Sequence, residues 1–375
     1  MRTDIHTVAH PRQLAVLTPY LIPPALPKRK VLNLGDGFIL RAIERWVGPF
    51  SSSRMFSPRL ALGDEAVAAL THSSAVIIAG ANQLNDRYTI WPGLTAERIR
   101  KGRLRFVPFG IGIHGDPEQT IRLSGETRSI LEAVHEQIEY SSWRCPNTVA
   151  FLRREMPGIA HQLLMTGCPV IYDRPLLESD QFLSAETTVA VTASERGEFW
   201  ERETQVIDAV TKRFPRARRY FVVHQNFSPP RVGERFQYMF SSVNVAGTRM
   251  NRIAALRAYA RQRGFKVVIP SSADECMQFY DHVDLHVGSR LHAHLLFLSR
   301  NKRSYLVPVD HRSVGIAEHL GFPLLAPEAL DRSWDCDFEI VRAKARATYA
   351  VMQRFVNSLS RTPCHQNPIA NQISV

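Results

Sequence analysis

The feature that most constrains the fold is a repeated alternation of short apolar segments with amphipathic ones. The apolar segments of the first series are VLNL (31–34), AVIIAG (75–80), RFVPFG (105–110) and QIEYSS (137–142). Segments with helical periodicity separate them: GFILRAIERWV (37–47), GDEAVAAL (63–70) and GETRSILEAV (125–134). Buried strands that alternate with helices form parallel sheets with helices on both faces.

A second series of the same kind begins near residue 188. Its apolar segments are TVAVTAS, RYFVVHQ, FKVVIP, DLHVGS and SYLVPV. Two such series in 375 residues predict an α/β protein with two Rossmann-type, doubly wound domains that face a cleft. We place the first domain at 1–180 and the second at 181–335. A C-terminal packing helix is expected at 336–360 and a flexible tail at 361–375.

The charge balance favours an anionic partner. The net charge of +12 suits a phosphorylated substrate, nucleic acid or an acidic lipid surface. No nucleic-acid-binding pattern accompanies the basic residues, so nucleic acid is not expected as a partner. Peripheral contact with an anionic membrane stays open, as does the oligomeric state.

Cysteine usage and hydropathy indicate the cellular compartment of the protein. The five cysteines are widely spaced and form no CxxC pair, so neither a disulfide framework nor a metal site is predicted. The N-terminal residues lack the apolar core of a signal peptide, and no run approaches the ~18 apolar residues of a membrane span. We expect a cytoplasmic protein, with the inner face of the membrane as an open alternative.

Candidate ligand-binding residues follow the strands, because open α/β sheets bind ligands at the carboxyl ends of their strands. Glycine there permits close backbone approach to a ligand, but equally to a neighbouring element. Asp36 fits either a ligand contact or a helix N-cap. The strand ends of the first series supply these candidates: Asn33, Gly35, Asp36, Gly80, Asn82 and His114.

The second series carries a stronger signal in DLHVGSRLHAH (284–294). Ser289 follows a strand, Arg290 begins an amphipathic helix, and His292 lies in its first turn. A cation at a helix N-terminus is unfavourable by ~0.3–1 kcal/mol, whereas a bound anion would reverse that sign. Arg312, after the next strand, is a second anion contact, and Arg196 could face the cleft from the opposite wall.

Several of these segments, in this order, resemble the polysaccharide pyruvyl transferase family. They are NLGDGFIL, SAVIIAGANQL, FGIGIHG, SSWRCPNTVAFLR and VGSRLHAHLLFL, which together extend over residues 31 to about 320. Two departures from the family pattern stand out. Ala81 and Asn82 replace expected glycines, and Cys145 follows Arg144 where the family often has aspartate.

The resemblance implies a GT-B-like fold and phosphoenolpyruvate as the donor substrate, with no further cofactor. The product would be a pyruvate ketal on a sugar of a cell-surface polysaccharide or of its lipid-linked or nucleotide-linked precursor. The residues carried over to the donor site are Arg290, Leu291 and His292, with Arg196 as a further contact. His292 would act as a general acid or orient the phosphate, while Asp36 or His114 would meet the acceptor hydroxyls.

Two other readings stay open. A GT-B glycosyltransferase with a nucleotide-sugar donor would share the fold, and Glu318 could bind its ribose. A basic α/β protein that binds nucleic acid or membrane without catalysis is the second alternative. The segment 224–249, which is rich in aromatic residues, is a candidate for acceptor contact under the transferase reading.

Overall fold

The computed structural model describes residues 13–21, 31–115, 122–194, 199–227, 246–331, 334 and 336–361. The strands are β1 Leu14–Leu17, β2 Val31–Asn33, β3 Met55–Phe56, β4 Ala75–Ala79, β5 Asn82–Leu84, β6 Phe106–Phe109, β7 Gly112–Ile113, β8 Ser141–Trp143, β9 Leu163–Met165, β10 Thr188–Thr192, β11 Arg218–Val222, β12 Gln225–Phe227, β13 Lys266–Val268, β14 Leu285–Gly288 and β15 Ser304–Leu306.

The α-helices are α1 Leu34–Val47, α2 Asp64–Thr71, α3 Ala96–Lys101, α4 Gly125–His135, α5 Pro146–Glu155, α6 Arg174–Glu178, α7 Trp200–Arg213, α8 Ala246–Gln262, α9 Ala273–Asp281, α10 Leu291–Ser299, α11 His311–Leu320 and α12 Phe338–Arg361. Short 3₁₀ segments lie at Ser52–Arg54, Pro157–Gln162, Pro169–Ile171 and Pro327–Asp331.

The first half of the chain forms a parallel sheet in the order β3-β1-β4-β6. Its central strand β1 is LAVL, and all four of its residues are buried. The sequence reading missed β1 and assigned VLNL to this sheet, which is wrong: residues 31–33 pair with β12 instead. A run of four apolar residues before a proline-rich segment is too short to predict a strand. Only its pairing with β4 in the structure shows that β1 is part of the sheet.

The second half forms a parallel sheet in the order β13-β11-β10-β14-β15. Chain order therefore reverses at the β10–β14 boundary, which is the position where doubly wound sheets bind ligands. Two parallel sheets covered by helices confirm the predicted α/β class and its two Rossmann-type units in a GT-B-like arrangement. The domain boundary at 180/181 remains a prediction, but it falls in the interval between β9 and β10.

A short antiparallel ribbon joins the two halves. Asn33 of β2 pairs with Gln225 of β12, and the backbone N–H of Leu34 donates to the carbonyl of His224 at 3.1 Å. Nearby, Arg41 of α1 donates to both carboxylate oxygens of Asp274 in α9, at 2.7 and 2.6 Å. These contacts hold the N-terminus of α1 beside the strand ends of the second sheet.

Helix α10 departs from its prediction. Every residue from Leu291 to Ser299 is buried, so the expectation of an amphipathic helix is wrong. The helix lies between β15 and α1, and a helix covered on all sides is apolar all round. The C-terminal packing helix is present as α12, whereas the predicted flexible tail lies outside the described residues. No described helix is both long and apolar enough to span a membrane.

Candidate functional site

A polar cavity of about 140 Å³ lies where the two halves meet. Its walls come from the start of α1 and from the carboxyl ends of β10, β11, β14 and β15. The residues that line it are Asn33, Gly35, Ser194, His224, Ser289, Arg290, Leu291, His292, Val309 and Arg312. The strand ends at the topological switch point of the second sheet, between β10 and β14, therefore face the N-terminus of α1 in the first half.

The N-terminus of α1 forms one wall. Asn33 caps this helix, and its Oδ1 accepts a hydrogen bond from the N–H of Gly35 at 3.2 Å. A Cβ on Gly35 would lie 2.8 Å from Nδ1 of His292, which is closer than side chains tolerate. Glycine at this position thus allows the backbone of α1 to approach His292.

Arg290 has a structural role that the sequence argument did not anticipate. It is the N-cap of α10 rather than its first residue, and its Nε and Nη2 donate to the carbonyls of Ala193 and Ser194 at 2.6 and 3.0 Å. Buried Glu203 completes this corner by accepting from the N–H of Ser194 at 2.6 Å and from Ser289 Oγ at 2.8 Å. These bonds fix the guanidinium at the cavity wall.

His292 presents an unsatisfied polar atom. The side chain is buried, and its Nε2 has no hydrogen-bond partner within the described part of the chain. Burial lowers the pKa of His292 well below its usual range, and the positive charges of Arg144 and Arg312 lower it further. The imidazole is therefore neutral, and its Nε2 can accept a hydrogen bond from a ligand or donate one to it, depending on the tautomer.

Arg144 is a buried cation that acts electrostatically on His292, although the sequence analysis did not assign it to the site. It is 1% exposed, and its Nε and Nη1 have no hydrogen-bond partner among the described residues. Its charge acts on His292, Asp36 and Arg312. A Cβ on Gly112 would lie 2.4 Å from Nε of Arg144, so this glycine makes room for the guanidinium. The segment SSWRCPN contains the arginine, but only the structure shows that it is buried with two guanidinium nitrogens that lack a hydrogen-bond partner among the described residues.

Arg312 reaches the cavity from the start of α11. Asp310 is the N-cap of this helix. The Asp310 carboxylate accepts from the N–H of Arg312 at 3.1 Å and from its Nε at 2.7 Å. The ion pair orients the guanidinium while leaving the cavity with an excess of positive groups.

Asp36 lies in the first turn of α1 and is 9% exposed. Burial raises the pKa of Asp36 to about 6, against the opposing charge of Arg59, a hydrogen bond from Asn33, and the charges of Arg312 and Arg144. Near neutral pH this carboxyl thus exists in both protonation states, a property suited to proton transfer.

Replacing Asp36 by asparagine tests its ionisation. The pKa of about 6 exceeds the usual value of 3.8, so the ionised carboxylate costs folded-state stability as pH rises from about 4 to 6. Asp36→Asn should therefore be more stable than the parent by roughly 1.5 kcal/mol at pH 5 and roughly 3 kcal/mol at pH 7.5 in urea titrations.

Asp86→Asn is the matched control, because it makes the same exchange at a side chain that is 60% exposed. A gain for Asp36→Asn that is equal at both pH values would contradict a buried, titrating carboxyl.

Other candidates are not brought to the cavity. Gly80 packs against the backbone of Gly110, where its Cβ would lie 2.4 Å from the carbonyl oxygen. Asn82 pairs with Gly112, and its Oδ1 is buried with no hydrogen-bond partner in the described part of the chain, whereas His114 is exposed.

Three further assignments lie away from the cavity or cannot be placed. Glu318 lines a separate, open groove with Phe322 and Ile340. Arg196 lies outside the described residues, as do 228–245 of the predicted acceptor segment. The described residues contain no group of three or more His, Cys, Asp or Glu side chains that could hold a metal ion.

Fold and site together define an α/β protein with a small polar cavity, lined by arginine and histidine side chains, between two Rossmann-type sheets. The family model for polysaccharide pyruvyl transferases matches residues 18–311. Since this match extends over most of the chain, the protein belongs to the polysaccharide pyruvyl transferase family. No curated protein matches the chain.

Solved structures show only distant likeness. A UDP-GlcNAc 2-epimerase from Neisseria meningitidis is 9% identical with a TM-score of 0.45, covering 91% of this chain and 99% of that one. A glycosyltransferase from Rickettsia africae is 9% identical with a TM-score of 0.46, covering 93% and 95%.

Accessory secretory protein 1, 2 and 3 from Streptococcus pneumoniae is 12% identical with a TM-score of 0.41. Coverage there is 90% of this chain but only 59% of the other. Likeness at this level supports no inference about activity or ligand.

Proposed function

We propose that this chain transfers the three-carbon unit of phosphoenolpyruvate to two hydroxyls of one sugar residue, forming a pyruvate ketal and releasing phosphate. Its acceptor is a cell-surface polysaccharide or its lipid-linked or nucleotide-linked precursor. The observation that carries the donor assignment is the polar cavity lined by Arg290, Arg312 and His292, whose Nε2 has no hydrogen-bond partner among the described residues. Family membership supports the transferase class.

The cavity suits a small molecule with a carboxylate and a phosphate. Its volume of about 140 Å³ accommodates a three-carbon anion and is small for a nucleotide sugar. Helices α1 and α10 both begin at its wall, so their N-terminal N–H groups add positive potential. Arginine provides two parallel donors for planar or tetrahedral oxyanions. Arg144, Arg290 and Arg312 together would balance the charge of the donor.

The reaction needs a proton at C3 of the donor, which makes C2 electrophilic. A sugar hydroxyl then forms a C–O bond to C2 and releases its proton. The C2–O bond to phosphate breaks, with the electron pair leaving on phosphate. A second hydroxyl then forms a C–O bond to the new cation at C2 and releases its proton. Arginines that bind the phosphate stabilise it as a leaving group.

His292 and Asp36 are the candidates for moving these protons. The pKa of His292 is low in the empty cavity because burial and two arginines disfavour its charged form. Bound phosphoenolpyruvate would offset those charges and raise it, so His292 could donate once the donor is present. Asp36 is the proposed acceptor of the proton from an acceptor hydroxyl, because its pKa of about 6 suits proton transfer near neutral pH.

The acceptor is proposed to bind on the side of the first half, residues 1–180, where Asn82 holds a buried carbonyl oxygen without a partner. A lipid-linked acceptor would bring the protein to a membrane surface, and the net charge of +12 favours contact with anionic lipid. No cofactor beyond the donor substrate is required by this chemistry.

The decisive experiment incubates the protein with phosphoenolpyruvate and a panel of lipid-linked and nucleotide-linked sugars. Phosphate release should coincide with a pyruvyl mass increment on one acceptor and should persist in EDTA. His292→Ala should reduce turnover by roughly 100-fold or more. Stabilisation by UDP or CMP compounds, with no effect of phosphoenolpyruvate, would favour the nucleotide-sugar reading and refute the donor assignment.

A further inference from the structure

A second buried carboxyl group lies beside the cavity, in the second half of the molecule. Glu203 belongs to the first turn of α7 and is 4% exposed. The proposed reaction has a use for it, because each of the two sugar hydroxyls loses a proton as it bonds to C2. Asp36 is the proposed acceptor for only one of these protons, so the other needs a second base.

Ser289 connects Glu203 to the cavity. It lines the cavity wall, is 5% exposed, and its Oγ donates to Oε1 of Glu203 at 2.8 Å. The same Oε1 accepts from the backbone N–H of Ser194 at 2.6 Å. The backbone N–H of Ser289 donates to the carbonyl of Thr192 at 3.1 Å. The hydroxyl and the carboxylate are therefore both held at the carboxyl end of β10.

The hydroxyl of Ser289 can only accept a hydrogen bond from a ligand. A serine hydroxyl has one hydrogen and two lone pairs, whereas an ionised carboxylate only accepts. Since the hydrogen of Ser289 is donated to Glu203, Ser289 offers a lone pair to the cavity. The ionised carboxylate and phosphate of phosphoenolpyruvate also offer lone pairs and do not match it. A sugar hydroxyl brings a hydrogen and does match it.

The surroundings of Glu203 make it a stronger base than an exposed glutamate. Burial raises the pKa of Glu203, while hydrogen bonds from Ser194 and Ser289 and the charge of Arg290 oppose this rise. A carboxylate with a raised pKa takes up a proton more readily near neutral pH. Glu203 thus combines a suitable basicity with a hydrogen bond that leads to the cavity.

We propose that Ser289 and Glu203 form a proton relay that deprotonates the sugar hydroxyl for which Asp36 is not the acceptor. The lone pair of the sugar oxygen forms the bond to C2, and its proton passes to Oγ of Ser289. The hydrogen of Ser289 passes at the same time to Oε1 of Glu203. Ser289 ends as it began, and Glu203 becomes neutral until it loses the proton to water. The reaction and its donor rest on the proposed function.

The first test separates donor binding from turnover. Glu203→Gln keeps the shape of the side chain and an oxygen that accepts hydrogen bonds, but it cannot take up the proton. kcat should fall about 100-fold or more. The Kd of phosphoenolpyruvate, measured by calorimetry, should stay within about 3-fold of the parent value or become lower, because a negative charge near the anion is removed. A structural role would instead raise Kd and leave kcat nearly unchanged.

The second test asks whether the two side chains act as one unit. Ser289→Ala removes the connection and should lower kcat about 10- to 100-fold, with Kd again within about 3-fold of the parent value. The double variant should be about as slow as Glu203→Gln alone, because residues of one relay have non-additive effects on kcat. Losses that multiply in the double variant would overturn the relay.

Asp284→Asn and Ser299→Ala are the matched controls. Asp284 accepts from the N–H of Thr187 at 3.0 Å and from its Oγ1 at 2.6 Å, at the amino end of β14 and away from the cavity. Ser299 is buried at the far end of α10, where its hydroxyl donates to the carbonyl of Leu296 at 2.8 Å. Both variants should keep kcat within about 2-fold of the parent value, even where they lower Tm.

Failure of the proposed function would look different. A parent protein that releases no phosphate from phosphoenolpyruvate with any acceptor refutes the proposed function and the relay with it. If the parent is active and Glu203→Gln keeps its kcat, only the relay is refuted.

Discussion

Arg144→Met is expected to make the protein more stable and nearly inactive. Burial lowers the pKa of Arg144, because its charge is poorly solvated, and Nε and Nη1 have no partner among the described residues. Exchanging such a buried charge for an apolar side chain of similar volume should stabilise the fold by about 1–4 kcal/mol. Under the proposed function, loss of the positive charge that acts on His292 should lower kcat/KM by roughly 100- to 1,000-fold.

Arg342→Met provides the matched control. Arg342 is 2% exposed, but its guanidinium pairs with Glu339, donates to Oδ1 of Asn301 at 2.7 Å and lies over Phe182. Its replacement should destabilise the protein and leave the KM for phosphoenolpyruvate unchanged. A destabilised Arg144→Met variant with normal KM would show that Arg144 has a structural role only.

The second large effect is a loss of stability in mild acid. Burial lowers the pKa of His286 to about 3 and those of His135 and His319 to about 4. Between these values and 6.5 the unfolded chain binds more protons than the folded one, so stability falls as pH decreases. From pH 8 to pH 5 each histidine should cost about 2 kcal/mol, or about 6 kcal/mol together.

Urea unfolding between pH 8 and pH 5 measures this loss. Protonation of Asp36 opposes it by only about 1.5 kcal/mol, so the net change remains a large decrease. His319→Gln keeps a polar partner for Thr348, 3.4 Å away, and should remove about 2 kcal/mol of the pH dependence. Curves for variant and parent that run parallel from pH 8 to pH 5 would contradict the role of His319.

Local sequence signals predicted most elements of the second half well. TVAVTAS, DLHVGS and SYLVPV contain β10, β14 and β15, because a buried parallel strand is a continuous apolar run. The segment GSRLHAH was also interpreted correctly as a strand-to-helix turn, with its arginine at the helix N-terminus. Such features depend on residues a few positions apart, and a single sequence displays them.

The tertiary structure decided which side chains share a site. Arg290 binds the carbonyl of Ala193, which is 97 residues away, and Gly35 leaves room for His292. Arg144 and His224 are unremarkable in sequence and enter the site only because two sheets and a ribbon bring their strand ends together. Hydrophobic periodicity in the sequence indicates which face of one helix or strand is buried. The charge of a cavity and its polar atoms without hydrogen-bond partners depend instead on contacts between elements that are distant in the sequence.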